Sequence, residues 1–437
     1  MMSSSTKGKA VLNMKPTFTR IKSLITAGAL LAVSLFAGSS LTGSLIPTAA
    51  AAASSAETFV MEDQFTDRDL AQEPDLSDAV ALTVTDGTDL EITEAGVYVL
   101  SGTASEVTVL VDASSDAKVQ LVLDGLTLTN ADSPCIYVKS ADKVFITTVS
   151  DSSLSVTGAF AADGSTNTDG VIFSKDDLTL NGTAVLTIAS SDNGVVGKDD
   201  LKITGGTYNI TASSKAFEAN DSIRVAGGTF NIKAGTDGFH AENDDDTSKG
   251  YVYIADGAIT ITCGDDAIHA TTIIQIDGGT LNLTCAEGLE ATFIRINDGV
   301  INISASDDGI NAAYKSTYCE VAVEFNGGEV NIAMGAGDTD GVDSNGSIYM
   351  NGGVVSVTGN STFDYDGTAQ YTGGTIYING QQTSSIPNQM MGGMGGGRGG
   401  WGMQNGQGGG WGTQNSQDGQ GGPGGGRGGW GGGRGGW

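Results

Sequence analysis

Residues 274–291 read IQIDGGTLNLTCAEGLEA, and residues 294–312 read IRINDGVINISASDDGINA. Each opens on a short strand pattern (Ile274-Gln-Ile, Ile294-Arg-Ile) and turns at a glycine, Gly279 or Gly299. Each resumes as an alternating strand (Thr280-Leu-Asn-Leu, Val300-Ile-Asn-Ile) and closes in a tight acidic element (Glu287-Gly-Leu-Glu-Ala, Asp308-Gly-Ile-Asn-Ala). Working outward, the bend glycine recurs at Gly206, Gly228, Gly257, Gly328, Gly353 and Gly374 as well, and the eight are spaced by 22, 29, 22, 20, 29, 25 and 21 residues. The acidic element recurs as Asp237-Gly-Phe-His-Ala, Asp266-Ala-Ile-His-Ala and Asp340-Gly-Val-Asp-Ser. Three short strands per 20–29 residues, bent at glycine and free of helical periodicity, predict an all-β parallel β-helix. A propeller needs blades of about 40 residues, and a sandwich does not repeat at this period. The two longest rungs predict lateral insertions at 243–250 and 313–319, and Thr83–Gly102 is expected to help cap the N-terminal end.

The ends of the chain are different materials. Residues 1–53 carry five Lys or Arg and no acid, then an apolar run from Leu24 to Phe36 and Pro47-Thr-Ala-Ala-Ala. That order reads as a secretory signal peptide, and the run is too short for a spanning helix. Export to an extracellular or cell-surface location is therefore expected, with no transmembrane segment. Residues 54–85 read as a linker, 86–380 as the coil, and 381–437 as a low-complexity tail. From 392 onward there are 26 glycines in 46 residues, with three copies of Gly-Gly-Gly-Arg-Gly-Gly-Trp ending at Trp401, Trp430 and Trp437. Such a composition cannot bury enough surface to fold. It serves either as a spacer or as an arm whose Trp and Arg stack on sugar rings.

Composition narrows the partners. The chain has 51 Asp and Glu against 21 Lys and Arg, a net charge of −30, and two histidines. Nucleic acid and anionic lipid are excluded, because their binding rests on basic residues neutralising phosphate. Two histidines leave little room for zinc chemistry or a Ser-His-Asp triad. A partner that carries or needs cations is expected, and the coil itself is expected to be monomeric.

In a parallel coil, equivalent positions stack about 4.8 Å apart, so columns carry more information than linear motifs. One column is Asp237, Asp266, Glu287, Asp308 and Asp340, with Asp265 and Asp307 beside it; a second is Asp176, Asp199 and Asp221. Two carboxylates about 5 Å apart repel by roughly 3 kcal/mol at an effective dielectric of 20. Hard oxygen donors at this density, at glycine bends that free backbone carbonyls, suit Ca²⁺ rather than zinc or copper. The alternative is a solvated acidic ridge with diffuse counterions. A third column, on the outward side of the pre-turn strand, is Lys202, Arg224, Tyr253, Gln275, Arg295, Glu324 and Tyr349. Lys202, Arg224, Tyr253, Gln275, Arg295 and Tyr349 are candidate sugar contacts, since rings stack on sugar faces and cations pair with uronates; an ordinary exposed strand face is the other reading. A fourth, Asn209, Asn231, Asn282, Asn302 and Asn331, reads as an amide ladder. Cys263 and Cys285 share one inward slot in successive rungs, as stacked thiols or, after export, as a disulfide.

The runs Leu123-Asp-Gly-Leu-Thr-Leu-Thr-Asn, Ile136-Tyr-Val-Lys-Ser-Ala-Asp-Lys-Val, Gly170-Val-Ile-Phe-Ser-Lys-Asp-Asp-Leu and Lys198-Asp-Asp-Leu-Lys-Ile-Thr-Gly-Gly-Thr-Tyr, with the Asp-Gly-Ile-Asn-Ala repeats, resemble secreted bacterial carbohydrate-binding proteins with a calcium-containing β-helix. The resemblance spans roughly residues 85–380. It implies a right-handed, pectate-lyase-like coil, calcium at the acidic bends and no catalytic activity. It also implies binding of plant cell-wall polymers such as cellulose and polygalacturonate. It carries calcium over to Asp176, Asp199, Asp237, Asp266 and Asp308, whereas Lys215 and Asn193 stand where acids are otherwise found.

Three functions follow. The first is a non-catalytic, calcium-stabilised polysaccharide-binding protein. The second is an enzyme of the same fold. A lyase would set calcium beside a basic residue such as Arg224 or Arg295, and a hydrolase would need a tuned carboxylate pair. The third is an adhesin or matrix protein acting through its Gly-Arg-Trp tail.

Overall fold

The computed structural model describes residues 57–336 and 339–389. The expected signal peptide and the Gly-rich tail from 392 lie outside the described residues.

The repeating segments wind into stacked turns, each contributing a strand to three parallel stacks. In the first stack, Ser222–Val225, Tyr251–Ile254, Ile273–Ile276, Phe293–Ile296, Ala322–Phe325 and Ser347–Met350 pair in succession. In the second, Thr229–Ala234, Ala258–Thr262, Thr280–Cys285, Val300–Ala305 and Glu329–Met334 do the same. The third, which holds twelve strands among the described residues, runs through Phe217–Ala219, Phe239–Ala241, Asp266–Ala270, Glu287–Ala291 and Ile310–Ala312. These strands are rich in Ile and Val, whose branched Cβ suits a pleated surface packed on one side.

Alternation places one ladder of each strand inside. Ile274, Ile276, Leu281, Ile268, Leu289, Ile294, Ile301 and Ile310 are fully buried in one continuous core. Burying each such side chain contributes about 2 kcal/mol, so stability accumulates rung by rung. Aromatic residues continue the pattern, with Tyr208 on Phe230 at 5.3 Å and Phe217 on Phe239 at 5.2 Å between centroids. The bends need glycine for two reasons. Gly279 and Gly299 have φ of +92° and +107°, and a Cβ on Gly279 would lie 2.8 Å from the carbonyl oxygen of Gly257 in the rung before.

The longer rungs extrude loops where the spacing places them. One joins Phe239–Ala241 to Tyr251–Ile254 and the other joins Ile310–Ala312 to Ala322–Phe325. They meet on one side of the coil, where the Ser316 hydroxyl donates to the carbonyl of Thr247 at 2.7 Å.

Three boundaries differ from expectation. Residues 57–72, expected as linker, lie against the first stack, because Asp69, Gln72 and Phe59 find partners there that a free linker would lack. The stretch Thr83–Gly102 supplies a turn of the coil itself, since Tyr98–Ser101 pairs in parallel with Val80–Thr83. At the other end Gln381–Thr383, expected as tail, folds back antiparallel on Ile376–Ile378. All four cysteines are free thiols. Cys285 is buried and Cys263 half-buried beside the core, and the hydrogen bond between them, then burial, raises the Cys263 thiol.

Candidate functional site

The outward positions of the first and third stacks carry most of the polar chemistry, and the coil treats the two faces differently.

On the first stack, register sets Lys202 beside Arg224, then Tyr253, Gln275, Arg295, Glu324 and Tyr349 in one unbroken column, as the repeat predicts. The column points away from the core yet is not an open face. Tyr253 and Gln275 have no exposed surface, and Arg295 keeps 5% and Lys202 8%. Residues 57–72 cover them. Gln275 exchanges two hydrogen bonds with the backbone of Phe59, accepting its N–H at 3.1 Å and donating to its carbonyl at 2.8 Å. Arg295 donates to the carbonyl of Glu57 and the hydroxyl of Thr58, both at 2.9 Å, and pairs with Glu324 at 2.8 Å. The Phe59 ring stacks on Tyr251 at 4.5 Å, and Phe65 packs on Tyr253 at 6.3 Å. Arg224 pairs with Asp200 at 2.5 Å and lies over Tyr251.

The strap is pinned at Asp69, which is fully buried. Its carboxylate meets Lys143 at 2.6 Å and Lys202 at 3.6 Å, and accepts hydrogen bonds from Thr66 and Thr179. Burial opposes its ionisation, but the Lys143 hydrogen bond, the Thr66 N–H and the two ammonium charges outweigh it and hold the carboxyl far below the usual range. The Asp69 carbonyl accepts from the Thr204 hydroxyl, and Gln72 accepts the N–H of Gly182 at 3.0 Å. This strap was invisible to column reading, because its contacts with the coil lie 74–238 residues away and it shares no repeat. Of the candidate sugar contacts, Tyr349 and Arg224 stay half-buried, and the other four are closed off.

The third stack presents acids. Asp266 pairs in register with Glu287, and the Asp266 and Asp340 N–H groups donate to Asp237 and Asp308 of the preceding rungs at 3.1 and 2.9 Å. The first carboxylate column is thus continuous through Asp237, Asp266, Glu287, Asp308 and Asp340, with Asp265 and Asp307 exposed at its edge. Register also aligns Asp176, Asp199 and Asp221 through Leu178, Leu201 and Ile223. The crowding is visible in the protons. Burial first, then Asp266, Glu290 and Asp308, push Glu287 up to about 8, against a hydrogen bond from Asn311. Burial, then Asp307 and Asp340, carry Asp308 up to about 6 despite a backbone N–H bond. Burial and a hydrogen bond with Asp221 lift Asp199 to about 7. A site that penalises its own ionisation this way fits a hard divalent cation held by oxygen.

A further column, one the bend motif did not reveal, runs beside it: Glu218, His240, His269, Glu290, Asn311, Asp343 and Asp364. Burial, then Asp308 and Asp364, push Asp343 up to about 7. A signal was present, since the two histidines of the chain occupy one slot of successive Asp-x-x-His-Ala elements. Next to this column, Lys198, Lys215 and Lys249 line a cleft of about 410 Å³ with Glu218 and Asp221. Each lysine is paired there, Lys198 and Lys215 with Glu218 at 3.0 and 3.2 Å and Lys249 with Asp221 at 2.5 Å.

The second stack is the open face, largely polar and uncharged, with Lys233 and Glu329 among its exposed outward residues. Asn231 donates to Asn209 at 2.9 Å, Asn302 to Asn282 at 3.0 Å and Asn331 to Asn302 at 3.1 Å, forming the expected amide ladder. No helix among the described residues is long and apolar enough to cross a membrane.

Comparison with known proteins adds three findings. A family model described as carbohydrate-binding domain-containing protein matches residues 86–364. A carbohydrate-binding domain-containing protein of Acetivibrio thermocellus is 37% identical over 129 residues, 28% of this chain and 45% of the relative, so the chain spans under half of that relative's length. The solved structure of a polysaccharide lyase-like protein from C. thermocellum, a gadolinium derivative, is 26% identical with a TM-score of 0.39, covering 69% of this chain and 94% of that one.

Proposed function

The chain belongs to the carbohydrate-binding domain-containing family, and from that premise we propose that it is a secreted, non-catalytic protein that binds an acidic plant cell-wall polysaccharide through calcium. The observation that carries this reading is the stacked carboxylate columns, in which burial and then neighbouring acids raise Glu287 and Asp308. In this reading calcium is held by Asp176, Asp199 and Asp221 in the earlier rungs. In the later ones it is held by Asp237, Asp265, Asp266, Glu287, Asp307, Asp308 and Asp340. When bound, the ion neutralises the columns and offers a positive centre to uronate carboxylates, which a coil of this charge would otherwise repel. The amide ladder presents donors and acceptors to sugar hydroxyls on the adjoining face. Lys202, Tyr253, Gln275 and Arg295 serve sugar only when residues 57–72 leave them, while half-buried Arg224 and Tyr349 remain partly reachable.

A binding role is favoured over elimination by the state of the arginines. Arg224 and Arg295 are each paired with a carboxylate, and both lie against the strap. A base for proton abstraction must reach substrate unpaired. Co-sedimentation with polygalacturonate and with cellulose, in calcium and in EDTA, tests the proposal while absorbance follows unsaturated uronate. Calcium-dependent retention on polygalacturonate without product is expected. Product release, or retention unchanged by EDTA, would overturn it. Deleting residues 392–437 separates this reading from an adhesin acting through the tail, since only the adhesin loses its retention.

A further inference from the structure

The two histidines sit where the third stack would otherwise continue in oxygen donors. Glu218 precedes them in the column and Glu290 follows. Their rings stack at 4.5 Å between centroids, 17° from parallel, and both side chains are buried to about nine-tenths. Each rung positions its ring in the same way. Asp237 Oδ2 lies 2.8 Å from His240 Nδ1, somewhat off the line a hydrogen bond prefers, and Asp266 Oδ2 lies 2.7 Å from His269 Nδ1. Glu290 reaches the same His269 nitrogen at 2.9 Å. A carboxylate beside Nδ1 turns the ring so that Nε2 faces the cluster, as in sites where the carboxylate supports a metal-bound imidazole, and a bound ion would take the place of the Nε2 proton that His240 gives to Glu242. On the Nε2 side stands Glu242, two residues after His240 on the same face of the chain, with Oε2 at 3.1 Å from His240 Nε2.

The donor atoms of His240, Glu242 and His269 all lie within 4.8 Å of one another. Glu242 is half exposed, and a cleft of about 160 Å³ lined by Glu242, Asn243, Thr247, His269 and Lys315 opens the cluster to solvent. The geometry points to a site for a divalent ion of the zinc class, held by His240, Glu242 and His269, with Asp237 and Asp266 orienting the two rings. Two nitrogens and one oxygen, with a position left to water, suit zinc, copper or cobalt, whereas calcium prefers an all-oxygen shell. The coil would then carry two kinds of ion on one face, with Asp237 and Asp266 facing both. No sugar enters the inference, although the site shares Asp237 and Asp266 with the calcium reading, so the zinc measurement is read apart from polymer retention.

The test uses metal-stripped full-length protein in millimolar calcium, which fills the oxygen sites. Zinc binding is followed by calorimetry, and copper(II) is added for electron paramagnetic resonance. One equivalent of zinc and nitrogen hyperfine splitting from the copper are expected. His240→Gln and His269→Gln should each weaken zinc at least about tenfold, Asp237→Asn should weaken it by a factor of about ten, and Asp308→Asn should leave it unchanged. Absence of nitrogen splitting in the folded wild-type protein overturns the inference. So does zinc affinity that is unaltered in the double histidine variant. Should a histidine variant fail to fold by circular dichroism, the wild-type spectrum decides alone.

Discussion

The first and third stacks are built alike, from short strands whose outward residues form ladders of charge, yet the first ladder is closed by a strap of the chain while the third keeps acids stacked on acids beside a few internal pairs. On the first stack the cations Lys143, Lys202, Arg224 and Arg295 meet Asp69, Asp200, Glu324 and the carbonyls of residues 57–64. On the third, acid stands over acid, and burial with neighbouring charge raises Glu287, Asp308 and Asp343, as it does Asp199 at the bend into the first stack. A stacked coil repeats whatever charge a rung carries. The repeated charge must then be met by a strap of opposite character or by something from solution.

The sharpest way to break the comparison is to remove the pin. Asp69→Ala leaves Lys143 and Lys202 facing each other with side chains only 10% exposed. Stripping one partner from a buried ion pair costs about 3–5 kcal/mol. Denaturant unfolding should show a loss of that size, and limited proteolysis should begin cutting between residues 57 and 72. Stability within 1 kcal/mol of wild type would mean that the strap contributes little to the closed face.

The two faces should also answer pH with opposite signs. Asp69 ionises more readily folded than unfolded, so its contribution is complete above the unfolded carboxyl pKa of about 4 and is lost as pH falls below it. The raised acids of the acidic columns behave inversely, whereas Asp237 and Glu290 beside the histidines, and Glu218 beside its lysines, are lowered like Asp69. With Asp308 raised to about 6, Asp199 and Asp343 to about 7 and Glu287 to about 8, their protonated forms favour the folded state. That stability is present below about pH 4 and is lost as pH climbs through 6–8. In EDTA the melting temperature should therefore fall between pH 5 and pH 8.5, by on the order of 5 °C. Millimolar calcium should flatten the slope. A flat EDTA profile would remove the case for crowded carboxylates and for the ion that relieves them.

Much of this was legible beforehand because the fold is periodic. Aligning Gly279 with Gly299 sets Gln275 beside Arg295, and the first two stacks keep that register, whereas Glu287 comes beside Asp308 through the acidic motif itself, one residue out of it. What the repeat cannot report is anything outside it. Phe59 and Asp69 belong to no rung, so alternation showed Gln275 pointing away from the core but not that Phe59 meets it. The histidines were legible in principle, being aligned three residues after Asp237 and Asp266. Counting two of them concealed that both occupy one slot.

A smaller perturbation asks whether the strap acts as a unit. Phe59 is 7% exposed and stacks on Tyr251, far along the first stack from Asp69. Phe59→Ala removes aromatic burial worth about 2 kcal/mol while leaving the pin intact. Amide exchange should quicken at residues 57–65 and stay slow at 66–72. Equal quickening throughout would show that the strap docks all or none, so that one weakened end releases the whole stripe.

The smallest expected effect on stability tests the open face. Asn302 accepts from Asn331 and donates to Asn282 on the second stack, where both strands are already held by their backbone ladders. Asn302→Ala should change stability by no more than about 0.5 kcal/mol, as a surface position does. Its effect on polymer retention should be larger, because a sugar chain lying across several rungs loses one donor and one acceptor at the ladder's centre. If retention is unaltered while a variant lacking residues 57–72 gains it, the sugar face is the stripe beneath the strap. The closed ladder would then be the functional one, and the open amide column only a reinforcement of the sheet.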